Sequence, residues 1–231
     1  MPIDSLRSDI RRIAELASSG IDRAVPDCGE WTIGQVLEHL SGVYSMVAEI
    51  LRTRATGPVR PVPSEGDPLE VFRARSEELL TAVSRVDPAE PVWTWTSDKS
   101  AGFYVRRMTN ETLVHRCDIE RASDLTPTID RDRAVDVVDE YLDLMLPGFL
   151  ARKPELRPIG SLHLHCTDGA GEWLAVPSAE GLAVTREHAK GDCAWRGPAS
   201  GLALAAWGRR VSSVDVVGSA EVSDSWRRAA P

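Results

Sequence analysis

The run RRMTNETLVHRCDIERA, residues 106–122, decides how the first half of this chain is read. It belongs to a long helix expected from roughly Val105 to Ala122, with Asp124 and Pro127 as the breakers beyond it. On such a helix Glu111 and His115 stand four positions apart, so their side chains share one face about a turn apart. That spacing lets both reach a single ion, although the pair alone is equally consistent with a helix-surface contact worth ~0.3 kcal/mol.

Working outward, Thr32 is a plausible N-cap for a helix reading IGQVLEHLSGVYSMVAEILRTR, residues 33–54. Its apolar face carries Val36, Leu37, Leu40, Val43, Val47, Ile50 and Leu51, and His39 falls on the part shared with Val36, Leu40 and Val43. An imidazole there points towards the interior. A lone histidine in that setting is more often a core residue bonded to a neighbour, but here it supplies a third donor from a second helix, as bundle metal sites do. His39, Glu111 and His115 are therefore the candidate ligands of one divalent metal.

Residues 3–19 repeat apolar positions at intervals of three and four, giving a first helix. Residues 56–68 hold four prolines and two glycines and form a loop. LEVFRARSEELLTAVSRV, residues 69–86, is a third helix closed by Asp87-Pro88. The following PVWTWTSDKSAGFYVRRM pairs briefly or runs as an ordered loop, with Trp93 and Trp95 on one side if extended. A fifth helix is expected from about Arg131 to Leu146. After Pro158 the pattern changes: GSLHLHCTD alternates as a half-buried strand, and GEWLAVPSAEGLAVTRE reads as two more short strands. ASGLALAAWGRR returns to helix, and VSSVDVVGSAEVSDSWRRA adds a strand and a final helical turn. The expected organisation is an all-helical bundle, 1–152, and a small α+β domain, 153–231, joined through a Lys-Pro stretch.

A chain with 42% hydrophobic and 27% charged residues can build a packed core. The formal net charge of −8 argues against nucleic-acid or anionic-lipid partners, and no apolar run approaches the ~20 residues needed to span a bilayer, so a cytoplasmic protein is expected. Cys28, Cys117, Cys166 and Cys193 lie far apart with no CxxC pair, so reduced thiols are the default. Cys117, two residues from His115, is the one to watch, although a small buried hydrophobe is its expected role. His163 and His165 share a strand face, but with no third ligand at suitable spacing they read as strand-surface or cleft residues.

WTIGQVLEHLSGV from Trp31, RRMTNETLVHRCDIERA from Arg106, LHLHCTDGAGEWL from Leu162 and GPASGLALAAWGRR from Gly197 together resemble the mycothiol-dependent maleylpyruvate isomerase family, a branch of the DinB-like metalloenzymes. The resemblance implies a DinB-type four-helix bundle whose His, Glu, His triad, at His39, Glu111 and His115, holds zinc. It also implies a smaller C-terminal α/β domain resembling sterol carrier proteins. Two positions depart from the family pattern: Cys117 replaces a tryptophan common after the HR pair, and Tyr44 stands where many relatives have a histidine.

Three protein ligands leave a coordination position open, as in a catalytic zinc site, and a thiolate suits a borderline-soft cation. The partners implied are mycothiol, or a related low-molecular-weight thiol, and a small electrophilic, carboxylated substrate. In an isomerase the thiolate would add to a cis double bond and leave after rotation; in an S-transferase it would stay on the product. Arg106, Arg107, Arg209 and Arg210 are candidate carboxylate clamps, and Arg209 is favoured as the catalytic arginine. Two other readings share the metal site: a non-catalytic carrier with an apolar cavity after residue 152, and a metal-dependent hydrolase. The latter lacks a general base apart from Glu111. An acidic surface fixes no oligomeric state.

Overall fold

The computed structural model describes residues 2–230 apart from 64 and 180, and the chain divides into two compact units, Met1–Pro127 and Thr128–Pro231. The first unit is helical: α1 (Pro2–Ala17), α2 (Ile33–Thr53), α3 (Pro68–Arg85) and α4 (Ala101–Ala122). Thr32 closes a capping box, its hydroxyl accepting from the Gln35 N–H at 3.3 Å while the Gln35 side chain accepts from the Thr32 N–H at 2.9 Å. Asp67 caps α3 with two backbone N–H groups. α4 begins four residues earlier than its periodicity suggests, because Ser100 caps it through the Phe103 N–H. The stretch before it pairs once, with Val92 N–H donating to the Lys99 carbonyl, and Trp93 and Trp95 do lie side by side, ring centroids 6.4 Å apart.

α2 packs on α3 and α1 on α4. Leu6, Ile13, Val36, Leu37, Leu40, Val47, Ile50, Leu51, Phe72, Leu79 and Leu113 are fully buried between them, each burial contributing roughly 1.5–3 kcal/mol. Between α1 and α4 runs a chain of charges: Asp9 meets Arg116 at 3.0 Å, Arg116 meets Glu120 at 2.8 Å, and Glu120 meets Arg12 at 3.1 Å. Asp9, Arg116 and Glu120 are buried, so losing one partner would strand a charge in the core.

The second unit starts with α5 (Arg131–Glu140), continues through a π-helical turn (Tyr141–Met145) into α6 (Leu146–Arg152), and turns once more as a 3-10 helix (Pro154–Leu156). The expected fifth helix thus runs on past Leu146. It packs on α7 (Ala199–Ala206), and the compact units divide after Pro127, whereas the sequence reading places its boundary near residue 152. The physical reason is its apolar face, where Ala134, Val137, Val138 and Leu142 are buried with the small residues of α7.

β1 (Leu162–Cys166), β2 (Glu172–Ser178), β3 (Gly181–Thr185), β4 (Cys193–Gly197) and β5 (Asp215–Gly218) form one sheet in the order β3-β2-β1-β4-β5. β1 and β4 are parallel and the other neighbours antiparallel. β4 is an addition to the expected strands. The final turn is a full helix, α8 (Ala220–Arg228). In register, Trp173 and Trp195 flank Leu164, and their indoles donate to Asp139 on α5 and Ser223 on α8, which identifies the helix-covered face. Side chains one residue out of step, His163, His165 and Glu172 among them, belong to the opposite face.

Candidate metal centre

Within the first unit, α2 and α4 bring the three expected donors together. His39 leaves α2 between the fully buried Val36 and Leu40, yet its own side chain is 32% exposed, so it forms the open rim. Glu111 and His115 leave adjacent turns of α4, both nearly buried. The Glu111 Oε1 atom lies 2.9 Å from His39 Nε2 and 3.6 Å from His115 Nε2. One ligand atom from each residue lies within 4.8 Å of the others, and the two imidazole centroids are 5.1 Å apart. Two imidazole nitrogens and a carboxylate oxygen at this spacing can hold one divalent ion.

The residues behind the triad orient it. Asp118, fully buried one turn beyond His115, has Oδ2 3.0 Å from His115 Nδ1. That contact fixes the plane of the ring and turns Nε2 towards Glu111, and with an ion bound at Nε2 the remaining proton would sit on Nδ1 against Asp118. The Cys28 thiol, from the loop before α2, donates to the same Asp118 oxygen at 3.5 Å. The other carboxylate oxygen of Glu111 accepts from the guanidinium of Arg107, buried one turn earlier on α4. Arg107 therefore balances the Glu111 charge and fixes which oxygen faces the histidines. The Trp31 ring, just ahead of α2, lies 5.4 Å from the His39 ring at 49° and walls the rim.

The remaining sequence candidates separate. Of the arginines considered as clamps, Arg107 meets Glu111, whereas Arg209 follows α7 in the second unit, nearly buried, and donates to the Trp207 carbonyl. Cys117 is fully buried, and desolvation pushes its thiol up to about 12, which makes it an inert core residue. Tyr44 is buried with its hydroxyl 2.6 Å from that of Thr112, so this departure from the family pattern serves the α2–α4 packing. A cavity of about 910 Å³ between α2 and α3, lined in part by Arg52, Arg75, Arg85 and Glu78, touches none of the triad. Asp118 and Cys28 join the site beyond the residues that the sequence reading names. The three-residue step from His115 to Asp118 on α4 was the available signal for the first; a loop residue such as Cys28 offers none. His163 and His165 do have further ligand-type neighbours, Glu172 and His188, which corrects the expectation of an isolated strand pair.

A four-helix unit with an inward His, Glu, His set, followed by a small α+β unit, defines the class: a bundle that can carry a metal, joined to a mixed-sheet domain. A family model described as the mycothiol maleylpyruvate isomerase N-terminal domain matches residues 5–120, a span that contains the whole triad, and the chain belongs to that family. Two solved structures share its fold. One is a mycothiol-dependent maleylpyruvate isomerase, with a TM-score of 0.66 at 13% identity, covering 93% of this chain and 91% of that chain. The other is a histidine-to-alanine mutant of that enzyme, with a TM-score of 0.67 at the same identity and coverage. No curated protein matches the chain. Among the described residues no helix is long and apolar enough to cross a membrane.

Proposed function

We propose that this chain is a zinc-dependent enzyme that uses mycothiol, or a closely related low-molecular-weight thiol, to isomerise or conjugate a small electrophile. The observation that carries the reading is a three-donor set, His39, Glu111 and His115, with its His39 side open to solvent. Membership in the mycothiol maleylpyruvate isomerase family supports the choice of thiol. When bound, zinc would lower the pKa of a coordinated thiol so that it is a thiolate at neutral pH.

The chain's own residues prepare that site. Asp118 holds the Nδ1 edge of His115, so its Nε2 is turned towards Glu111 for ligation. Arg107 pins one oxygen of Glu111 and leaves the other for the metal. Trp31 shields one side of His39 from water. Arg209 is the residue proposed to receive a substrate carboxylate, since its guanidinium is already oriented by the Trp207 carbonyl.

The test is isothermal titration of mycothiol into zinc-loaded protein, with metal content measured by plasma emission in wild type and His115→Ala. Thiol binding that disappears with the variant's triad metal supports the reading. Zinc held by the triad without thiol binding rejects it in favour of a carrier or hydrolase. Incubation with maleylpyruvate and trace mycothiol then separates the two chemistries: turnover without thiol consumption marks an isomerase, stoichiometric consumption a transferase. Arg209→Lys should raise KM for a carboxylated substrate more than it lowers kcat.

A further inference from the structure

His163 and His165 stand two residues apart on β1, so both rings project from one face of the sheet. The β1–β2 register sets Glu172 directly opposite His165 and diagonal to His163, on that same face. Gly171 makes the register possible: its φ is +153°, and a Cβ there would come within 2.5 Å of the Cys166 sulfur. A fourth side chain arrives from elsewhere. Residues 186–192 connect β3 to β4, strands that are separated in the sheet by β2 and β1, and this connection brings His188 over the face opposite the helices.

All three imidazoles converge on one carboxylate. His163 Nε2 lies 2.6 Å from Glu172 Oε2, while His165 Nδ1 and His188 Nδ1 lie 2.6 and 3.2 Å from Oε1. The ring centroids are 5.0 to 6.0 Å apart, and one ligand atom from each of the four residues falls within 4.8 Å of the rest. Ligands bound at ~2.0–2.1 Å around a tetrahedral ion sit about 3.3 Å from each other, and small side-chain adjustments from the 2.6 to 3.2 Å contacts here would reach that spacing. A strand surface needs no such convergence, since histidines on it would ordinarily turn to water.

We propose that His163, His165, Glu172 and His188 form a second metal site, separate from the triad, for a late first-row divalent cation such as zinc. Three imidazole nitrogens and one carboxylate suit that class of ion better than calcium or magnesium, which favour oxygen. Four protein ligands complete a tetrahedral shell, so the site is structural: it fastens the 186–192 connection to β1 and β2. Without the ion, His188, whose side chain is 74% exposed, meets the cluster through its 3.2 Å contact with Glu172 and its ring against those of His163 and His165.

The experiment is zinc stoichiometry by plasma emission on the full chain, after equilibration with limiting chelator, in wild type, His115→Ala, Glu172→Gln, His188→Ala and the His115→Ala/His188→Ala double variant. Two ions in wild type, one in each single variant and none in the double support the site. A fall in second-site affinity of at least tenfold is expected for His188→Ala. Its exposed loop position keeps the test decisive should Glu172→Gln disturb the β1–β2 pairing. Arg186 and Lys190 flank His188 in the exposed connection, so zinc should slow tryptic cutting there in wild type and not in His188→Ala. One ion in wild type that His115→Ala abolishes, or two ions retained in Glu172→Gln and His188→Ala, overturns the proposal. One ion lost only in the cluster variants would instead support it and reject the triad, so the two readings fail separately.

Discussion

The triad on α2 and α4 and the cluster on β1 and β2 share out all five histidines of the chain, two in one and three in the other. Each begins from the shortest spacing that puts two ligands on one face: four residues on a helix, two on a strand. Their surroundings differ. In the triad, His115 is backed by buried Asp118 and Glu111 is shared with buried Arg107, so the donors are oriented from behind and one side stays open. In the cluster the imidazoles point at one another's carboxylate partner, and the fourth donor closes the set from an exposed connection. An oriented set of three suits exchangeable chemistry, whereas a closed set of four suits a clamp. Ligand identity alone would not separate them; the count and the backing residues do.

The comparison is most sharply tested by removing a triad ligand. His39→Ala or His115→Ala should abolish metal at the triad and reduce thiol-dependent turnover by more than about 1,000-fold, since metal-assisted activation contributes several kcal/mol. Metal analysis and turnover on the same samples check this, and retained turnover in a metal-depleted variant would refute the catalytic assignment. Next in size is Arg107→Met. It leaves Glu111 buried without its cation, which should destabilise metal-free protein by about 3 kcal/mol, and a bound ion should restore much of that. Denaturant melts with zinc and with chelator measure the difference; equal losses in both would show that Arg107 acts independently of the metal site.

The triad was legible because its placement is local. Helical spacing joins Glu111 to His115, and the apolar face of residues 33–54 turns His39 inward before any tertiary contact is known. What lay hidden depends on pairing between distant segments. The five residues of β4 are too short a run, with Ala194 at an outward position, to mark a strand by themselves, yet they supply the parallel partner of β1. Glu172 becomes a neighbour of His165 only through the strand register, and His188 only through the connection to β4. The extent of the bundle was hidden for a similar reason: α5 has an amphipathic pattern equally suited to either unit, and only its contacts with α7 assign it.

A smaller effect is expected behind the triad. Asp118→Asn keeps the size and an acceptor oxygen at His115 Nδ1 but removes the charge, so metal affinity should fall about tenfold, at the lower end of the range for outer partners of ligating histidines. Competition with a fluorescent zinc chelator measures it. The same readout on the cluster should not change, because its four ligands belong to the other compact unit; a parallel loss at both sites would mean the variant acts through global stability.

The smallest effect concerns the end of the connection that carries His188. Asp192 accepts from the Ser161 hydroxyl at 2.7 Å and the Ser161 N–H at 2.8 Å, and these bonds, the hydroxyl first, hold its carboxyl below the usual carboxylate range. A folded-state pKa lowered in this way adds stability that is complete above the ordinary aspartate value of about 3.9 and is lost as pH falls through the lower folded value. In metal-free protein, Asp192→Asn should therefore narrow its stability gap from wild type below pH 4, with the two melting curves converging as the acid is titrated. Asp192 is exposed, so the gap itself is small. Carboxyl-carbon NMR of Asp192 gives the folded pKa directly. A value at or above 3.9 would show that Ser161 does not fasten the connection, and would leave Arg186 with Asp139 and Asp143 at one end and a bound metal at His188 to anchor it.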